Sequence, residues 1–214
     1  MVMPRAVSFM KSTLFSLPFT WAVLVLPALP LIWELWQNER YFPELMYESG
    51  LLSVQLLVLA LLITPLQVVL KPAAVAWPVV RFMVQRRRAV GVAAFGYGVL
   101  HTLFYVRQIG ALDLIWLEAL QGELLTGWLA LFAMAVGAVT SNRWSQIKLG
   151  SRWKGVQRVA YGAALLTGLH WYWINQFLDE LWVYVLPLAA AQLVRLALRR
   201  WRGRAAAAFA KEAA

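Results

Sequence analysis

"LLSVQLLVLALLITPLQVVL", residues 51–70, decides the fold class. Twenty residues pass without a charge. At 1.5 Å per residue such a run makes a helix about 30 Å long, the thickness of a bilayer's hydrocarbon core. The alternation expected of outer-membrane barrel strands does not appear.

Working outward, comparable apolar segments lie at 14–36, 89–106, 124–140, 156–177 and 181–198. The composition agrees, with 62% hydrophobic and only 14% charged residues, well below the charge of a soluble domain. The expected fold is all-α, a membrane bundle of six transmembrane helices at residues 14–198. Residues 1–13 precede it and a basic tail, 199–214, follows. Arg5 and Lys11 before the first segment invite a signal-peptide reading, but the apolar run is too long for one. It reads instead as a helix bent by Pro18, Pro27 and Pro30.

The charges orient the bundle. Loop 37–50 carries Glu39, Arg40, Glu44 and Glu48, and loop 107–123 carries Arg107, Asp113, Glu118 and Glu123. Asp179 and Glu180 mark the last turn on that side. Loop 71–88 carries Lys71, Arg81, Arg86, Arg87 and Arg88, and loop 141–155 carries Arg143, Lys148, Arg152 and Lys154, with no acid in either. Basic and acidic loops alternate, so the positive-inside rule puts both termini in the cytoplasm. Trp33, Trp36, Trp116, Trp144, Trp153, Trp171, Trp173, Trp182 and Trp201 fall near helix ends, as an interfacial belt. The net charge of +10 is then topology and contact with anionic lipid rather than nucleic-acid binding. The absence of cysteine excludes disulfides and thiolate-held clusters.

Two histidines, His101 and His170, are the only ones in the chain, and both lie in apolar spans. His101 follows Arg88 by 13 residues and His170 follows Arg158 by 12. Both therefore sit about 18–20 Å from the cytoplasmic boundary, at one depth. Paired imidazoles at matched height on two helices suit the two faces of a haem, and they leave no open iron site, which favours electron transfer. Gly98 and Ala94 share the His101 face and Ala163 that of His170, which leaves room for a flat ring. A polar contact between helices is the rival for either histidine alone, and tight packing is the rival for the small residues. A two-histidine metal site lacks a carboxylate at that depth. No glycine-rich dinucleotide fingerprint follows a strand, so the chain reads as a subunit rather than a complete enzyme.

Four stretches carry a resemblance: "LLITPL" at 61–66, "RRRAVGVAAFGYGVLH" at 86–101, "TSNRWSQIKLGSRWKGVQRVAY" at 140–161 and "LHWYW" at 169–173. Together they resemble the haem-binding membrane subunits of periplasmic methionine sulfoxide reductase systems, the MsrQ/YedZ family of ferric-reductase-like transmembrane proteins. The resemblance implies His101 and His170 as axial ligands of a b-type haem in the bacterial inner membrane. It implies a periplasmic molybdopterin methionine sulfoxide reductase as partner, and a cytoplasmic flavin reductase or membrane quinol as electron donor, with FMN as a possible further cofactor. Arg87, Arg88 and Arg158 would then meet a cofactor phosphate or propionate, unless they only touch lipid headgroups. One departure stands out. Family members often carry another histidine where this chain has Gln157. A second haem would need ligands 13 or 14 residues before the first pair, and those positions hold Arg88, Arg87, Gln157 and Val156. One haem is expected. The rivals are a stand-alone ferric or quinol-linked reductase, and a haem-free transporter or scaffold with structural histidines.

Overall fold

The computed structural model describes residues 16–37, 42–70, 77–176 and 179–212. The expected segment 1–13 lies outside these residues, as do Glu39, Arg40 and Lys71 of the expected loops. Among the described residues the chain is helical and forms no strand.

The first apolar segment forms two helices, α1 (Leu17–Val25) and α2 (Ala28–Gln37). Ser16 caps α1 by accepting from the Phe19 amide at 3.2 Å, and the chain breaks at Leu26 and Pro27. Of the three prolines expected to bend this segment, only Pro27 does. Pro18 and Pro30 sit in first turns, where the missing amide has no intrahelical partner to lose. The Tyr97 hydroxyl reaches the Leu24 carbonyl at this break, at 2.8 Å, satisfying an orphan of the α1 terminus. Tyr97 is thus a tie between helices.

Then come α3 (Phe42–Leu70), α4 (Trp77–Ile109), α5 (Leu112–Glu118) and α6 (Gly122–Val139). Short turns follow as α7 (Arg143–Leu149), a 3-10 turn (Gly150–Arg152) and α8 (Trp153–Val156), before α9 (Val159–Asn175) and α10 (Asp179–Glu212). Five stretches are long and apolar enough to cross a bilayer, by length and composition: Leu17–Gln37, Phe42–Leu70, Trp77–Ile109, Gly122–Val139 and Glu180–Arg204. The expected span 156–177 is not among these five; most of it forms α9, whose 17 residues extend about 25 Å.

Helices overrun their apolar segments. Much of the expected loops 37–50 and 71–88 is helix, with Pro43 and Pro78 inside the first turns of α3 and α4. An apolar run marks only the lipid-facing length, and a helix continues until a breaker stops it. Gly110, at φ 68°, ends α4 in the left-handed region that favours glycine. Helix α10 runs unbroken to Glu212, and Arg202 donates to the Val68 carbonyl near the end of α3 at 3.4 Å.

Helix α3 packs along α4, α6 along α9, and α10 against α3. A buried cluster of Leu57, Leu61, Ala94, Ala133, Met134 and Ala163 fills the middle. Pro65 lies inside α3 and has no amide to offer the carbonyl four residues earlier. That carbonyl, on Leu61, accepts instead from Gln192 Nε2 of α10 at 3.2 Å. Gln192→Leu is expected to cost about 1 kcal/mol, read as a lower unfolding temperature in detergent. In a Pro65→Ala background the helix amide takes over, and the same substitution should cost almost nothing.

Trp171 and Trp153 depart from the expected interfacial belt. Trp171 is buried with Val54 and Leu181. Trp153 donates its indole N–H to the Thr140 carbonyl at 2.8 Å, and Arg88 lies over its ring at 5.5 Å.

Candidate functional site

Helix α4 carries His101 and α9 carries His170, and the fold brings the two rings together with centroids 6.2 Å apart and planes at 84°. Each ring is held in the same way. His101 Nδ1 lies 2.7 Å from the Met46 carbonyl of α3, and His170 Nδ1 lies 2.7 Å from the Glu123 carbonyl of α6. A carbonyl can only accept, so both Nδ1 atoms carry the proton and donate it. In the neutral ring Nε2 then keeps its lone pair, the form a metal needs.

Two glycines make this seat. Gly50 lies four residues after Met46, and Gly127 four after Glu123, so each glycine sits one turn along from the accepting carbonyl. A Cβ on Gly50 would stand 2.9 Å from His101 Nδ1, and one on Gly127 would stand 2.9 Å from both Nδ1 and Cε1 of His170. No real Cβ tolerates that, so only glycine lets each imidazole reach its carbonyl.

The histidines line a mostly apolar cavity of about 250 Å3 with Gly98, Met134, Thr167 and Trp171. It reaches toward the bundle end where α3 begins and α9 finishes, the end that carries the acidic residues. There Tyr47 donates to Glu180 at 2.6 Å and Tyr105 to Glu118 at 3.1 Å. The fit to a haem can be tested on distance. A metal–imidazole bond is about 2.0 Å and the bonded nitrogen sits about 1.2 Å from its ring centre, so two axial rings have centroids about 6.4 Å apart. The observed 6.2 Å matches. Among the described residues no group of three or more histidines, cysteines or acids forms a competing metal cluster.

The other residues expected at the site divide. Gly98 lines the cavity, and a Cβ on it would press on Ser53 Oγ at 3.3 Å. Ala94 and Ala163 lie in the central packed cluster instead. The Ala94 carbonyl accepts from Ser53 Oγ at 2.8 Å, so this residue brings α3 and α4 close together.

Residues 49–168 match the model of the family described as "Ferric reductase like transmembrane component". The chain belongs to this ferric-reductase-like family. It is also 26% identical over 208 residues to the "Protein-methionine-sulfoxide reductase heme-binding subunit MsrQ" of Yersinia enterocolitica, covering 92% of this chain and 96% of the relative. The protein of the same name from Yersinia pseudotuberculosis is 28% identical over 202 residues, covering 90% and 91%. No solved structure matches. The MsrQ/YedZ resemblance carried by the sequence stretches therefore extends along nearly the whole chain. The apolar helices and the ferric-reductase-like assignment make this a multi-pass protein of the bacterial inner membrane and a membrane electron-transfer subunit.

The ferric-reductase-like bundle holds a second cavity at its other, basic end, about 470 Å3 in volume. Met134 lies between the two, lining both. Arg87, Arg88, Lys154, Arg158, Arg195 and Arg199 line the second cavity, and no acid does. The three arginines expected to meet a cofactor anion thus come together. Arg87 donates from Nε to the Ala60 carbonyl at 3.0 Å. Arg195 donates to Tyr161 Oη at 2.8 Å and to Gln192 at 3.0 Å, while its buried Nε has no hydrogen-bond partner among the described residues. Gln157 lines this cavity too, and its amide donates to the Gly137 carbonyl at 3.1 Å and to Thr140 Oγ1 at 2.8 Å. Both of its N–H groups are engaged in tying the start of α9 to the end of α6.

Sequence alone does not single out Gly50, Gly127 or Arg195. For Arg195 a signal was there: a charge inside the apolar segment 181–198, which in a membrane span points to function.

Proposed function

We propose that the chain is the haem b subunit that passes electrons to a periplasmic methionine sulfoxide reductase. The observation that carries this is the pair of histidines, 6.2 Å apart, each donating Nδ1–H to a helix carbonyl and each keeping Nε2 for iron. The relatives are named heme-binding subunits of protein-methionine-sulfoxide reductase, which supports both the cofactor and the partner. His101 and His170 would hold one haem, which would supply a one-electron carrier, and with an imidazole on each side no place would remain for oxygen. The protein supplies a mostly apolar pocket and ring orientations fixed by the two carbonyls.

Both termini face the cytoplasm in this reading, with α9 as the sixth crossing. The acidic end, nearer the histidines, then faces the periplasmic partner. The basic cavity faces the cytoplasm and is where electrons enter, from a membrane quinol or from the flavin of a cytoplasmic reductase. Arg87, Arg88, Arg158 and the buried Arg195 Nε favour an anionic group there, such as the phosphate of FMN. The purified protein should show a reduced-minus-oxidised haem b spectrum and one haem per chain by pyridine haemochrome assay. Two haems per chain would overturn the single-site reading, and none would overturn the whole.

A further inference from the structure

The two histidine seats share more than a glycine. Ser49, one residue before Gly50, points its hydroxyl back along α3 to the carbonyls of Leu45 at 2.7 Å and Met46 at 3.0 Å. Thr126, one residue before Gly127, does the same on α6, reaching Gly122 at 3.1 Å and Glu123 at 2.8 Å. Met46 and Glu123 are the carbonyls that accept from the histidines. Ser49 is fully buried and Thr126 nearly so. Hydroxyl back-bonding is common in helices, and Thr20 and Thr102 do it here as well. At 49 and 126, however, the accepting carbonyl also serves an imidazole.

Each of these carbonyls therefore faces three donors. One is the helical amide four residues on, at Gly50 or Gly127. The second is the hydroxyl, and the third is the imidazole Nδ1–H. A carbonyl oxygen has two lone pairs. The hydroxyl alone has a second carbonyl within reach, so it is the donor free to adjust.

We propose that Ser49 and Thr126 are positioning residues for His101 and His170, and that by sharing one carbonyl with each imidazole they set how strongly that imidazole donates to the iron. This rests on the haem reading above. The direction follows from the chemistry of the ligand. A strong Nδ1–H···O=C bond makes imidazole more basic and favours ferric iron. A hydroxyl that competes for the carbonyl weakens that bond and favours ferrous iron. Removing the hydroxyl should lower the midpoint potential. The two seats are also unequal. Thr126 is closer to the shared carbonyl than to its alternative, and Ser49 is closer to the alternative. Thr126→Ala should therefore have the larger effect.

The test is a redox titration of the purified full-length protein, with haem content measured alongside. Thr126→Ala should shift the reduction equilibrium about threefold toward the ferric form, about 30 mV at 59 mV per tenfold. Ser49→Ala should shift it less in the same direction. Thr126→Ser and Ser49→Thr keep the hydroxyl and should keep the wild-type potential, as should Thr20→Ala, whose carbonyl serves no histidine. Full haem content with an unchanged or raised potential in the alanine variants overturns the sharing while leaving the haem site intact. Loss of haem from both alanine variants also overturns it, because the hydroxyls would then hold the helices rather than tune the ligands. A wild-type protein without haem overturns the reading beneath it.

Discussion

His101→Ala and His170→Ala are each expected to remove the haem spectrum almost completely while leaving the protein in the membrane. The expectation comes from how each ring is held. Neither histidine is central to the hydrophobic packing: the middle cluster is built from Leu57, Leu61, Ala94, Ala133, Met134 and Ala163. Removing an imidazole frees one carbonyl, Met46 or Glu123, that keeps its helical amide. The bundle should therefore survive. In the proposed site the iron would lose one of the two imidazoles that hold it, and the sequence has no third histidine and no cysteine to replace it. Matched expression, checked by membrane blotting, should accompany absorbance near the Soret band. A full haem signal in both variants would mean that the iron is bound elsewhere or not by these residues.

The second large effect concerns atoms that are absent. Gly127→Ala should weaken haem binding by about 10–100-fold, the usual range for disturbing the groups that orient a metal ligand. Its Cβ would stand 2.9 Å from two atoms of the His170 ring. That ring is not the loose end of a flexible chain, since Nδ1 is fixed on the Glu123 carbonyl at 2.7 Å. It must move off the carbonyl and carry Nε2 with it. Gly50→Ala should act in the same direction but less, because only one ring atom, Nδ1, lies under 3.0 Å from its Cβ. Gly91→Ala is the comparison, since a Cβ there meets nothing within 4 Å. Titration of the purified variants with haem separates these outcomes, and equal affinity in Gly127→Ala and Gly91→Ala would sink the argument.

The matched depth of His101 and His170 was legible in the sequence because helix geometry turns residue counts into depth. Thirteen and twelve residues from two arginines gave a shared height, but not that the two rings would face each other. What holds the rings was not legible, because it consists of backbone. Met46 and Glu123 contribute carbonyls, which every residue has. Gly50 and Gly127 contribute the lack of a side chain, which elsewhere in a membrane means only close packing. The same limit explains Ala94 and Ala163: a periodicity of seven places them on the histidine faces, but only packing decides whether such a face meets a cavity or a neighbouring helix. Helix ends were misjudged at 37–50 and 71–88 because hydropathy measures the lipid and not the hydrogen-bonded turn.

The carbonyl left bare by Pro65 has a consequence for biogenesis. Its donor, Gln192, lies 131 residues further along the chain. At a synthesis rate of 5–20 residues per second, the third helix waits on the order of ten seconds for that donor to emerge. In the meantime its exposed oxygen must be satisfied by water at the translocation machinery or by a temporary neighbour, since lipid offers nothing. The C-terminal helix therefore does more than close the bundle. Its arrival completes the hydrogen bonding of a helix already made, and a chain halted before residue 192 would lack the donor for the Leu61 carbonyl.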